Sequence, residues 1–364
     1  MYNGRKVIDV HGHISTPPQF RAFAFNLIAL RPPRGGKLSI PDEAMAPGIN
    51  RHLRMMNERD IDVQLLSPRP VGMMHWERPH LVHSWTQVTN DTIAQACTMH
   101  PDRFIGVGQL PQSSHEGCEA CVDELERCVG ELGFVGAILN PDPGGDRQSP
   151  GVDDPYWYPL YEKAEKLQAT LVVHPSITKD RRLEKIDSPY QYNNLTEETL
   201  ATMLYENSSV FDDFPNLKIV VCHCGGAPRR MLRRGLPLDA IQEERGLSNI
   251  VGDSGEQVGG QVGMKAEYSH AELRDTSRNL FFDTCSYDPH FLTAAIRQRG
   301  ARQMVFGTEV PGSGSDLANP ATGKPCDDVL ATIRSFDWLN ESEVTEICHD
   351  NPLRVFPLLA GRIA

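Results

Sequence analysis

No stretch of this 364-residue chain reaches the roughly 20 consecutive apolar residues that span a bilayer. Its longest apolar runs are strand-sized, such as LVV at 171–173 and KIVVCH at 218–223, so a transmembrane helix is not expected. The N-terminus, MYNGRKVIDVHGH, lacks the apolar core and small-residue cleavage site of a secretory signal; the expected location is cytoplasmic. Positive charge is in deficit: 36 Lys and Arg against 48 Asp and Glu leave a net charge of −12. That balance argues against nucleic acid and anionic membrane as partners, while leaving room for a local basic pocket that takes a small anionic substrate. The nine cysteines are odd in number and scattered, which reads as reduced thiols and not as a disulfide frame. Cys118 and Cys121 lie in a stretch of helical periodicity with no second pair at zinc-ribbon spacing, so neither a structural zinc nor a redox motif is expected there. No tandem repeat and no low-complexity tail occurs.

Short β-type runs alternate with helical patterns over nearly the whole length. The strand-like runs are Val7–Val10, Val63–Ser67, Phe104–Gln109, Val135–Leu139, Thr170–His174, Lys218–His223, Leu280–Cys285 and Met304–Gly307. Between them fall helical patterns at Leu81–His100, Cys118–Leu132, Trp157–Leu167, Thr196–Phe211, Pro228–Glu243 and Pro289–Arg299. Apolar runs of four to six residues, each bounded by turn formers and followed by a helix, are the pattern of parallel βα units. Eight such units predict one α/β domain, a (β/α)8 TIM barrel with loop insertions. An open doubly wound sheet is the alternative, but no G-x-G-x-x-G follows an early strand. Three segments read as insertions: a Pro/Gly-rich loop at 31–50, a glycine-rich stretch at 245–278 that could serve as a lid or subunit contact, and a long loop at 311–327.

In a barrel of this kind the chemistry sits at the C-terminal ends of the strands. The first strand ends in Asp9-Val10-His11-Gly12-His13; alternation puts His11 and His13 on one side, roughly 6.5–7 Å apart. Two imidazoles so placed can grip a divalent cation. An isolated H-x-H is more often a pair of surface or core histidines, so the metal reading rests on recurrence. His174 ends the fifth strand, His223 the sixth, and Thr308-Glu309 follows the eighth. His11, His13, His174 and Glu309 together make a single-metal set, with Glu309 alternatively a proton carrier. His223 is left as an acid–base group, its unperturbed pKa lying near 6.5. Zinc is the expected ion, since it lowers the pKa of its bound water to about 7; manganese is the alternative.

These residues, with Cys224-Gly225-Gly226 after His223, resemble the amidohydrolase superfamily, and within it the metal-dependent aromatic-acid decarboxylases and hydratases. The resemblance is closest to the 4-oxalomesaconate hydratase family. It is carried in order by IDVHGHISTPP (8–18), LLSPR (65–69), PDRFIGVGQLPQS (101–113), GFVGAILNPDPGG (133–145), YWYPLYEK (156–163), FPNLKIVVCHCGGA (214–227) and NLFFDTCSYDP (279–289). The decarboxylase relatives carry Gly-Ser-Asp where this chain has Gly307-Thr308-Glu309.

The resemblance implies that His11, His13, His174 and Glu309 hold zinc and that His223 is the general acid/base. It implies that Arg69 clamps a substrate carboxylate, and that Asn140, with Tyr192 and Asn194 in the loop after the fifth strand, bonds substrate oxygens. Asp283 would support the site from the seventh strand. The implied activity is a zinc-dependent hydro-lyase adding water to the activated C=C of an unsaturated oxo-polycarboxylate in aromatic-acid catabolism, working as a homo-oligomer such as a dimer. Decarboxylation of a hydroxylated aromatic acid, hydrolysis of an amide or lactone, and ligand binding without turnover stay open. Residues 245–278 and the loop after Glu309 depart from the hydratase pattern, and such loops choose the substrate.

Overall fold

A computed structural model describes residues 1–29, 38–113, 116–227, 279–320 and 322–363. The chain divides into two units, Met1–Pro228 with Asn279–Ala364, and Arg229–Arg278; only the first is described below. The expected helix Pro228–Glu243, the insertion 245–278 and residues 31–37 of the first insertion therefore lie outside the described residues.

Eight short strands run in parallel order: β1 (Ile8–His13), β2 (Val63–Ser67), β3 (Phe104–Gly106), β4 (Gly136–Leu139), β5 (Thr170–Val173), β6 (Lys218–Val221), β7 (Leu280–Asp283) and β8 (Met304–Val305). They pair as β1-β2-β3 and as β4-β5-β6-β7-β8. Backbone hydrogen bonds close both gaps. The Val135 and Gly108 amides donate to Gly106 and Gly136 at 3.0 and 2.9 Å, joining β3 to β4. The Val10 amide donates to Phe306 at 2.8 Å and the Glu309 amide to His11 at 2.7 Å, joining β1 to β8. The result is the closed (β/α)8 barrel the alternation predicts.

Strand periodicity divides the core in two. Ile8, Val10, Val63, Leu65, Ile105, Val107, Val135, Ile138, Val172, Val220, Phe281 and Val305 pack together inside the barrel, closed from one end by Val355, Phe356 and Leu359. Their strand neighbours, among them Leu66, Leu171, Val221, Phe282 and Phe306, face outward against the helices. Every strand is thus apolar on both faces, as burial on both sides requires.

Helices follow the strands: α1 (Pro18–Ala29), α2 (Asp42–Glu58), α3 (Pro79–Met99), α4 (Glu119–Gly130), α5 (Tyr158–Leu167), α6 (Pro189–Asn207), α7 (Val210–Asp213), and a helix over Pro289–Arg299. Two expectations need correction. Residues 42–50 are not loop but the start of α2, although Pro47 lies within it. Proline removes one backbone hydrogen bond, and burial of Met45, Ile49, His52, Met55 and Met56 along one face outweighs that loss. The helix expected from Thr196 begins seven residues earlier, with Pro189 in its first turn, where a missing N–H costs nothing. Among the described residues no helix is long and apolar enough to cross a membrane.

Candidate metal centre

β1 carries the decisive local irregularity. Asp9 pairs with Gln64 but Gly12 pairs with Leu66, three residues against two. Such a bulge flips the side-chain alternation beyond it. Ile8 and Val10 point into the barrel before it; His11 and His13 also point inward after it, where unbroken alternation would have sent them out toward the helices. Gly12 takes the outward position, and a Cβ there would come within 2.2 Å of the Gln64 side chain.

The imidazoles of His11, His13, His174 and His223 meet edge to face, with ring centroids 5.0–5.4 Å apart. Each ring has its Nδ1 tied to an oxygen. His11 Nδ1 lies 2.7 Å from Asp283 Oδ2, His13 Nδ1 2.8 Å from Ser67 Oγ, His174 Nδ1 2.7 Å from the Pro175 carbonyl, and His223 Nδ1 2.6 Å from Glu198 Oε1. Carboxylates and carbonyls only accept, and Ser67 gives its own proton to the Gly12 carbonyl at 2.9 Å; Nδ1 is therefore the protonated nitrogen in each ring. The Nε2 atoms are left turned toward one another. His11 and His13 Nε2 stand 3.3 Å apart, and His174 Nε2 is buried with no hydrogen-bond partner among the described residues. Bare lone pairs converging in a buried space are what a dication satisfies.

Glu309 completes the cluster. Its Oε1 is 3.7 Å from His13 Nε2, and Oε2 accepts from the Tyr287 hydroxyl at 2.9 Å. One ligand atom each from His11, His174, His223 and Glu309 lies within 4.8 Å of the others. The residues present therefore fit a divalent metal, with five candidate ligands for it. Both His223 and Glu309 hold left-handed backbone, φ +47° and +64°, a strain found at sites where the surrounding structure fixes a side chain.

Electrostatics sorts the imidazoles. Burial pushes His13 down to about 4 and His174 well below its ordinary value, aided for His174 by the neighbouring histidines; both stay neutral with a free lone pair. Burial would lower His223 as well, but the Glu198 carboxylate against Nδ1 outweighs it, and the ring is pushed up to about 10. Glu198 is itself raised to about 7 by burial, against the pull of His223; the pair as a whole retains its proton, on the imidazole. Glu309 is held well below the usual carboxylate range, the histidines around it overcoming its burial.

Arg69, two residues beyond β2, donates from Nη2 to the Pro311 carbonyl at 3.0 Å and is half-buried. Asn140 is fully buried and engaged by the protein: its amide meets His75 Nδ1 at 3.1 Å, and its Oδ1 accepts from the Asp142 backbone. Tyr192 and Asn194 lie in α6, not in a loop; the Pro189 start that lengthens this helix absorbs them. Tyr192 is 48% exposed, while Asn194 is buried with an Oδ1 that has no partner among the described residues. Sequence reading missed Glu198, Ser67 and Tyr287 as parts of this site. Glu198 is 25 residues from His223 and sits mid-helix, so no local pattern marks it.

The family described as Amidohydrolase matches residues 8–358. A 2-keto-4-carboxy-3-hexenedioate hydratase of Sphingobium sp. (strain NBRC 103272 / SYK-6) is 29% identical over 98% of both chains. A 2-amino-3-carboxymuconate-6-semialdehyde decarboxylase of Dictyostelium discoideum is 28% identical over 71% of this chain and 65% of its own. Among solved structures, a 4-oxalomesaconate hydratase from Rhodopseudomonas palustris superposes with a TM-score of 0.77 at 29% identity, covering 98% and 97% of the two chains. A dihydroxybenzoic acid decarboxylase from Polaromonas sp. JS666, with bound manganese and 2-nitroresorcinol, superposes at 0.65 with 20% identity over 97% of each chain, which speaks for the fold alone.

Proposed function

This chain belongs to the amidohydrolase family, and on that premise we propose that it is a metal-dependent hydratase adding water to the activated C=C of an unsaturated oxo-polycarboxylate such as 4-oxalomesaconate. The observation that carries hydration over decarboxylation is the end-to-end sequence match to a hydratase, over 98% of both chains. Curated decarboxylases of Dictyostelium discoideum and Rhodococcus jostii match 71% and 50% of this chain.

His11, His13, His174 and Glu309 would hold the metal: burial keeps the His13 and His174 imidazoles neutral, and Glu309 supplies an anionic oxygen. His223, whose Nδ1 is tied to the buried Glu198 at 2.6 Å, is read as the acid–base group beside that set. A dication held there would supply Lewis-acid chemistry toward substrate oxygens and water; zinc is the ion proposed, with manganese the alternative for a carboxylate-containing set.

The protein's own groups do the rest. The Arg69 guanidinium takes a substrate carboxylate in a two-pronged ion pair. Asn194, whose Oδ1 has no partner among the described residues, is the candidate to accept from a substrate hydroxyl, with Asn140 and Tyr192 as further candidate contacts to substrate oxygens. Hydration needs a hydroxyl on one alkene carbon and a proton on its neighbour. Glu309 accepts the proton that water gives up, and His223 delivers one to the adjacent carbon, so charge is conserved across the step. Arg69 sits where it can balance the negative charge that develops on the oxo-carboxylate end.

Metal-loaded protein mixed with 4-oxalomesaconate should consume its conjugated chromophore without releasing CO2. Persistence of the chromophore at full metal content refutes the assignment, and CO2 release from a hydroxylated aromatic acid with ring retention establishes the decarboxylase instead.

A further inference from the structure

α6 grips the turn after β6 with three polar side chains. Glu198 Oε1 accepts from His223 Nδ1 at 2.6 Å. Thr199 Oγ1 accepts from the Ala227 amide at 2.7 Å, and the Thr202 hydroxyl donates to the Gly225 carbonyl at 3.0 Å. The helix approaches so closely that a Cβ on Gly226 would lie 2.4 Å from the Thr199 backbone nitrogen. From the other side Arg299 donates to the Cys224 and Gly225 carbonyls at 3.0 and 3.1 Å, its guanidinium resting 3.7 Å from the Phe282 ring centre. The Cys224 amide is taken by Asp283 Oδ1 at 3.2 Å. The peptide groups of the turn are thus held from both sides, but among the described residues only one bond reaches the His223 ring from outside the cluster, and its acceptor is completely buried.

From this geometry we propose that Glu198 is a positioning residue that fixes the His223 ring as its Nδ1–H form, so that Nε2 is always the nitrogen presented to the metal centre. It rests on the reading of His223 as the proton donor. A ring free to rotate about its last bond would offer either nitrogen, and either tautomer, to the substrate. The hydrogen bond to a buried carboxylate, carried on a helix that Thr199 and Thr202 tie to the same turn, restricts that freedom. Glu198 touches no substrate atom and acts only through His223.

The test uses the full-length, metal-loaded protein and two variants. Glu198→Gln keeps an oxygen able to accept from Nδ1; Glu198→Ala does not. Glu198→Ala is expected to lose at least about 100-fold in kcat, the scale of a misplaced acid, with KM and metal content little changed. Added formate should fill the vacated space and recover part of that rate, which a merely structural role would not do, and Glu198→Gln should lie between the two. Independently of turnover, ring 15N spectra, with His223 assigned through His223→Asn, should show Nδ1 protonated throughout a pH titration of the wild type, and a mixed pattern in Glu198→Ala. This second readout survives if the substrate assignment fails. A neutral His223 carrying its proton on Nε2 in the wild type overturns the proposal even if neither variant folds, as does a Glu198→Ala variant with unchanged kcat.

Discussion

His11 Nδ1 and Asp283 Oδ2 lie 2.7 Å apart with both side chains sealed from solvent, 272 residues distant in sequence. The other oxygen of Asp283 accepts from the Cys224 and Cys285 amides at 3.2 and 2.9 Å. One carboxylate therefore sets the orientation of an imidazole of the candidate metal centre and ties it to the turn that carries His223. Asp283→Asn should lower metal affinity by about 10–100-fold, the usual effect of removing an acceptor behind a ligating histidine. Dialysis against graded chelator followed by metal analysis measures this; equal retention by variant and wild type would sink the role.

Metal added to stripped protein should raise its melting temperature by mass action, since the converging Nε2 atoms exist only in the folded state. At a thousandfold excess over Kd the gain is about 4 kcal/mol. His174→Ala, which deletes a buried Nε2 with no partner among the described residues, should abolish most of the shift. A metal-induced shift of the same size in the variant would remove His174 from the ligand set.

Stability should fall on acidification between pH 6.5 and 4. Burial pushes His52 and His75 each down to about 4. His52 Nε2 donates to Gln64 Oε1 at 2.6 Å and His75 Nε2 to the Leu110 carbonyl at 3.0 Å. In that window the unfolded chain binds protons that the folded chain refuses, so the stability present above pH 6.5 is lost as pH falls. Each histidine accounts for up to about 3 kcal/mol. His75→Gln, which keeps a donor and an acceptor but cannot titrate, should flatten the slope of the unfolding midpoint against pH; an unaltered slope would show that His75 does not carry it.

Arg69→Lys should not substitute for Arg69. A lysine keeps the charge but not the planar fork that meets a carboxylate at two points, so kcat/KM on an oxo-polycarboxylate should drop by about 10–100-fold, mostly through KM. Steady-state kinetics with a substrate lacking the clamped carboxylate should then show no difference between the two enzymes. Equal activity of Arg69→Lys on the full substrate would place the carboxylate elsewhere.

Gly226→Ala should destabilise the fold. Gly226 sits at φ +74° and its absent Cβ faces the α6 backbone at 2.4 Å, so both strain and collision follow. A loss of about 1–3 kcal/mol is expected from the backbone conformation alone. Thermal unfolding checks it, and an unchanged midpoint would mean that the helix can retreat at no cost.

Much of this architecture was legible before any coordinate. Eight apolar runs, each followed by a helical pattern, announce a parallel barrel because both faces of every strand are buried. His11, His13, His174, His223 and Glu309 announce a site because barrel chemistry collects at strand ends. α2 was not legible: Pro47 and Gly48 look like loop, and only the five side chains they help to bury say otherwise. Tyr192 and Asn194 look like loop for a similar reason, since Pro189 reads as a turn although a helix starts on it.

What the amino-acid order determined by itself is the periodicity of each segment and the chemical type of group at its end, since both depend on residues a few positions apart. Tertiary structure alone decided which way those groups face. The bulge between Asp9 and Gly12 turns His11 and His13 inward against the alternation set by Ile8 and Val10, and partners 25, 54 and 272 residues away choose the exposed nitrogen on His223, His13 and His11. Such choices rest on hydrogen bonds and packing between distant segments, which no local pattern can carry.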